Sequence, residues 1–186
     1  MTEQKKKGRR AYLNDFHKDE KGSYVYRGEL YDFAGGKEAL KKELWVLWGI
    51  CAAMLAALVA AGCMDAPGMR GCFYVVLPFS VSFVFGISVC FGMWQLARGG
   101  SPMRAYLYEK SVGALPHRTL GTMICAAISI AGELIYLFKN GFSEKMSAAI
   151  FFLLLETVSF LLAFLLKKRI MQMIWEKRKT KIDKMR

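Results

Sequence analysis

The chain is poor in the residues that most chemistry needs. Only two histidines, His17 and His117, occur in 186 residues, and neither lies in an apolar stretch. No lysine or arginine interrupts the interior of its long apolar runs. No Gly-rich loop precedes a helix as a phosphate-binding turn would, and no serine stands in a nucleophile elbow. Enzymatic activity is therefore not expected, and neither is a cofactor, a bound metal or a nucleic-acid partner. Lipidation boxes are lacking as well, since position 2 is Thr and the last four residues are Asp-Lys-Met-Arg.

What the chain does have is apolar length. Four runs stand out, at about residues 44–62, 73–96, 119–138 and 146–166. At 1.5 Å rise per residue each is about long enough to cross a hydrocarbon layer about 30 Å thick. The fold class expected is all-α: an integral membrane protein with a four-helix transmembrane bundle. Three parts follow: a basic and aromatic N-terminal segment (1–43), the four-span domain (44–166) and a basic C-terminal helix (167–186). The first apolar run begins too far into the chain for an ordinary cleaved signal, so it is expected to stay as the first span.

Charge sits at the ends. Residues 1–43 carry eleven Lys or Arg and eight acidic residues, and residues 167–186 carry nine and two. Basic residues beside spans stay on the cytoplasmic side. Lys41, Lys42 and Lys167–Lys168–Arg169 flank the first and last spans. Arg98, Arg104, Lys110 and Arg118 mark the loop between the second and third. The two other loops are short and carry Arg70 with Asp65, and Lys139 and Lys145 with Glu144. Both termini and the middle loop are thus expected inside, most plausibly at the plasma membrane.

The N-terminal segment divides in two. Residues 1–22, with Lys5–Lys7, Arg9 and Arg10, order only against a partner or anionic lipid. Residues 23–34 concentrate Tyr24, Tyr26, Tyr31 and Phe33 around a turn near Arg27–Gly28. They read first as rings at headgroup level and second as a docking strip for another subunit. A helix opens at Lys37 and feeds into the first span, with Trp45 and Trp48 as depth anchors. That span carries Gly49, Ala53, Ala57 and Ala61 four apart, with Ala52, Ala56 and Ala60 beside them. Such a face admits the backbone of another helix, in the same chain or a neighbour.

The remaining spans give fewer signals. Pro78 falls in the first two turns of the second, where a missing donor is tolerated. Met103 to Glu109 suit a short interfacial helix with Tyr106 and Tyr108 toward the membrane. His117 reads as an interfacial hydrogen-bonding residue rather than a ligand. The tail after Lys167 is expected to continue helically and lie along the anionic inner surface.

Two carboxyls fall inside spans, Glu133 and Glu156, about 21 Å and about 15 Å from the inner edge. Such groups face a bundle interior or a water-filled cavity. Either carboxyl can take up a proton, or be held by Ser129, Thr157 or Ser159. Facing each other they would suit a proton or cation site; apart, they are polar pins or contacts to a partner span. Five cysteines complete the inventory. Cys51, Cys90 and Cys125 read as inert small apolar residues. Cys63 and Cys72 bracket the first outer loop closely enough for a disulfide.

The functional expectation ranks two classes. The first is a small non-catalytic subunit that assembles with, anchors or regulates other membrane components, including a second copy. The second is a small proton- or cation-coupled transporter or channel using Glu133 and Glu156.

Overall fold

The structure is a computed structural model and describes residues 16–18, 23–26, 28–141 and 146–178. Four helices carry it: α1 (Gly36–Gly62), α2 (Phe73–Gly99), α4 (Leu115–Asn140) and α5 (Met146–Gln172). Each is long and apolar enough to cross a membrane. The fourfold reading of the sequence is borne out, and every helix outruns its apolar stretch at the basic end. α2 and α4 both stop at a glycine of positive φ, Gly100 at 61° and Gly141 at 72°, a backbone state that terminates helices cheaply only at glycine.

Each helix buries one stripe. On α1 it is Leu47, Cys51, Met54, Leu58 and Ala61; on α5 it is Phe152, Glu156, Ser159, Ala163, Leu166 and Ile170. The alternating three- and four-residue spacing is a 3.5-residue period, the seam of a left-handed bundle. α2 packs on α4, α4 on α5, and α5 on α1; α1 on α2 is the weakest of the four neighbouring contacts. Outward faces are apolar too. Val84, Ile87 and Phe91 on α2 and Phe151, Leu154, Val158 and Leu161 on α5 are all exposed. An apolar surface of this extent belongs in lipid rather than water.

The small-residue face of α1 does not close the bundle. Ala57 and Ala61 are buried, but Gly49 and Ala53 are exposed, as are Ala52 and Ala56. The expected stripe of four is therefore corrected: the larger Leu47, Cys51, Met54 and Leu58 fill the seam, since they bury more area against α5. Gly49 and Ala53 instead look out from the bundle.

One end of the bundle carries a small sheet. β3 (Leu30–Phe33) lies between β4 (Met103–Arg104) and β5 (Trp175–Arg178), antiparallel to both. A separate hairpin joins β1 (Phe16–Lys18) and β2 (Tyr24–Tyr26). The sheet draws on the segments before α1, between α2 and α4, and after α5, so these three meet at one end of the bundle. After β4 the chain makes α3 (Ala105–Tyr108) and a π-type turn (Glu109–Gly113) that runs into α4.

The expected basic helix over 167–186 is corrected here. Helix persists to Gln172, and the chain then turns into β5; residues 179–186 lie outside the described ones. An open edge on β3 and opposite charges across it explain the change. Arg178 Nε is 2.9 Å from Asp32 Oδ2, Lys177 pairs with Glu29, and Trp175 lies opposite Phe33 with ring centroids 5.5 Å apart. Cross-strand aromatic and charged pairs each favour a strand by a few tenths to about 1 kcal/mol.

Candidate functional site

The buried interior is not uniformly apolar. Near the sheet, Leu47, Met54, Met93, Leu96, Leu115 and Leu166 form one cluster. Near the opposite end, Leu58, Val75, Phe79 and Phe152 form a second. Between and beside them the stripes of α2, α4 and α5 bring in Ser82, Thr119, Thr122, Ser129, Glu133, Glu156 and Ser159, all 0% exposed. The molecule thus keeps a few polar groups among its buried apolar clusters, behind a surface that is itself apolar.

Four of these seven groups have a hydrogen-bond partner. Thr119 donates to the Leu115 carbonyl at 3.0 Å and Thr122 to that of Arg118 at 3.3 Å. Ser82 crosses from α2 to the Thr122 carbonyl at 3.3 Å. Arg118, counted from the sequence as a loop charge, reaches back to donate to the Ser88 carbonyl on α2 at 2.9 Å. In helices such hydroxyl bonds cost little and satisfy the side chain without a tertiary partner.

Glu133 has a structural task. The loop after α1 makes a short 3-10 turn (Gly68–Arg70) that dips into the bundle end. There the Gly68 N–H donates to Glu133 Oε1 at 3.3 Å. A Cβ on Gly68 would lie 2.0 Å from Glu133 Oε2, so only glycine lets the turn seat this deeply. Across the mouth of the same loop, Arg70 pairs with Asp65. That neighbouring carboxylate holds the Arg70 guanidinium above its already high ordinary value.

Glu156 has no such task. Both its carboxyl oxygens are buried without a hydrogen-bond partner, and so are the hydroxyls of Ser129 and Ser159. Of the hydroxyls expected to hold it, Thr157 is exposed and bonds its own helix at the Leu153 carbonyl, 2.7 Å away. α4 and α5 are adjacent and antiparallel. Counted back from Asn140 and forward from Met146, Ser129 and Glu156 lie at about the same depth, about 15–17 Å from that end. Glu133 sits about one turn nearer the loop. An ionised carboxylate left unpaired in such surroundings costs several kcal/mol.

The aromatic strip has gone elsewhere. Tyr31 stacks on Tyr108 with centroids 4.3 Å apart and planes within 7°, and Tyr108 meets Trp175 edge-on at 5.9 Å. Tyr31 and Phe33, expected as rings at headgroup level or as a docking strip for another subunit, thus pack against Tyr108 and Trp175 of the same chain. Tyr108 likewise faces the sheet rather than lipid. Tyr24 remains 73% exposed, and Tyr26 donates to the Glu29 carbonyl at 3.2 Å with Arg104 over its ring.

The cysteines depart from expectation in both directions. Cys63 and Cys72 are free thiols, so the loop is closed by the Glu133 contact and not by a disulfide. Cys51 and Cys90, expected to be inert, bring their sulfurs to 2.9 Å across α1 and α2. No spacing rule links residues on separate helices, so the sequence carried no signal for this pair. Among the described residues no cluster of three or more His, Cys, Asp or Glu has the geometry to hold a metal.

Fold and interior define a class: a four-helix integral membrane protein with a polar layer inside. Compared with known protein families, curated proteins and solved structures, the chain matches none.

Proposed function

We propose that this is a small membrane transporter or channel that takes up a proton or a small cation at Glu156. One observation carries the reading: a fully buried carboxyl with both oxygens unpartnered, with the unpartnered hydroxyl of Ser129 at about its depth and that of Ser159 about one turn along the same helix. A polar pin that merely fixed the helices would be bonded to one of them, as Ser82 is. A contact to a partner span would leave the carboxyl on the outer surface, and it is not there. A buried carboxyl in a layer that also holds the unpartnered hydroxyls of Ser129 and Ser159 offers oxygens of the kind that suit a proton or a hard monovalent cation. The basic residues at the sheet end favour placing it on the cytoplasmic side. The test is reconstitution into liposomes with an imposed proton or sodium gradient and a trapped pH- or cation-sensitive dye. Uptake by the native chain and none by Glu156→Gln supports the reading. Equal uptake by both would sink it.

A second reading keeps its own support. The exposed Gly49, Ala52, Ala53 and Ala56 form a face on which another span can pack closely. An assembly or regulatory subunit would use it. Native mass spectrometry from nanodiscs separates the two readings, since a stoichiometric foreign chain favours the subunit and this chain alone favours transport.

A further inference from the structure

We propose that Cys51 and Cys90 are a redox pair that closes to an intrachain disulfide, with a lipid-soluble quinone as electron acceptor. Their sulfurs are 2.9 Å apart, closer than two unbonded sulfur atoms rest at ease. A second observation explains the approach. Gly86 lies one turn before Cys90 on α2, and a Cβ there would come within 2.9 Å of Leu58 Cδ1 and 3.2 Å of Leu55 Cδ2 on α1. Leu55 is one turn after Cys51. The helices therefore converge at Gly86 and stay close at the thiols, although α1 on α2 is the weakest of the four neighbouring contacts. A covalent link would staple the loosest adjacent pair in the bundle.

Position selects the oxidant. Cys51 is 0% exposed and lies about 10 Å past the start of its apolar run at residue 44. Charged oxidants do not reach that depth. A groove of about 630 Å³ opens to the lipid along α1, with Lys41 among its lining residues and Ala97 reaching it from α2. It is lined by Trp48 and Ala52, three residues before and one after Cys51, by Ala97, two turns after Cys90, and by Trp45 and Gly49. That volume lies in the range of small-ligand sites, and two indoles beside small residues offer a flat apolar slot for a planar ring. The exchange balances without another reactant. Both S–H bonds break, one S–S bond forms, and two electrons with two protons pass to the quinone oxygens, leaving a hydroquinone. The redox pair is independent of Glu156.

The experiment uses the full chain in nanodiscs, with Cys63, Cys72 and Cys125 changed to Ser so that only this pair remains. Reduced protein is mixed anaerobically with a short-chain benzoquinone. Hydroquinone is followed by absorbance, and free thiols are counted by alkylation and mass spectrometry after denaturation. The expected result is about one hydroquinone per chain, loss of both alkylable thiols and a single linked peptide joining Cys51 to Cys90. Cys51→Ser and Cys90→Ser should each abolish hydroquinone formation. Thiols that stay alkylable, or a link between two chains, would overturn the proposal. So would a disulfide formed with diamide but not with the quinone.

Discussion

Glu133 and Glu156 are buried to the same degree in the same bundle, yet they sit in opposite situations. Glu133 accepts a backbone N–H at Oε1 and holds a loop in place, although its Oε2 is buried without a partner. Glu156 holds nothing. Burial alone therefore says little about a carboxyl. What separates a structural group from a candidate functional one is whether any of its oxygens is answered. The same contrast runs along the molecule, since the loop end and the sheet end are pinned by specific bonds while the middle layer is not.

The largest effect that tests this contrast is on transport. Glu156→Gln is expected to reduce proton or cation uptake to the level of empty liposomes. Its thermal stability should change by no more than about 1 kcal/mol, because no hydrogen bond is lost. Uptake assays paired with a thermal melt of the same preparation decide the matter. A variant that loses several kcal/mol would place Glu156 among the structural residues and erase its difference from Glu133.

Gly68→Ala comes next. The added Cβ overlaps the Glu133 carboxyl, so either the loop lifts or the side chain swings away and its bond breaks. A destabilisation of about 1–3 kcal/mol is expected. Coupling to Glu133 is the sharper readout. Gly68→Ala combined with Glu133→Ala should be less harmful than the sum of the two single changes, because the overlap vanishes. Strict additivity would mean that the two residues do not meet. Glu133→Gln is milder, since its amide oxygen still accepts the Gly68 N–H. A loss of about 0.5–1.5 kcal/mol with uptake retained is expected. Uptake lost in this variant as well would join the two carboxyls into one site.

The sequence made some of this legible and hid the rest for identifiable reasons. Spans are written locally, in hydropathy and length, and all four helices lie where the apolar runs put them. Burial of Glu133 and Glu156 also followed, because the cost of a carboxyl in lipid leaves it few other places. Local pattern could not tell which oxygens would be answered, since Gly68 reaches Glu133 from 65 residues away. The α1 stripe misled for a related reason. Small residues at a spacing of four mark a surface that can be approached, and larger residues one position over mark the surface that is. The tail and the aromatic strip were read as separate elements, each facing membrane or partner. They in fact satisfy one another, since Phe33 meets Trp175 and Asp32 meets Arg178. Pairing between strands more than a hundred residues apart leaves no periodicity in either.

The sheet end allows a finer test, because there a titratable group has partners. The Tyr31 hydroxyl donates to Glu29 Oε2 at 3.5 Å and its ring lies against Tyr108. Desolvation first, and the Glu29 carboxylate second, hold its phenol above the ordinary value of 10.0. The folded chain thus favours the protonated phenol. Any stability from that preference is fully present below pH 10 and is lost as pH rises through the folded-state value. The expected outcome is a small alkaline fall in melting temperature that Tyr31→Phe removes, measured alongside Glu156→Gln, which should keep it. If Glu156→Gln abolished the alkaline fall, the sheet end and the middle layer would be coupled, and the division between pinned ends and an unanswered middle would fail.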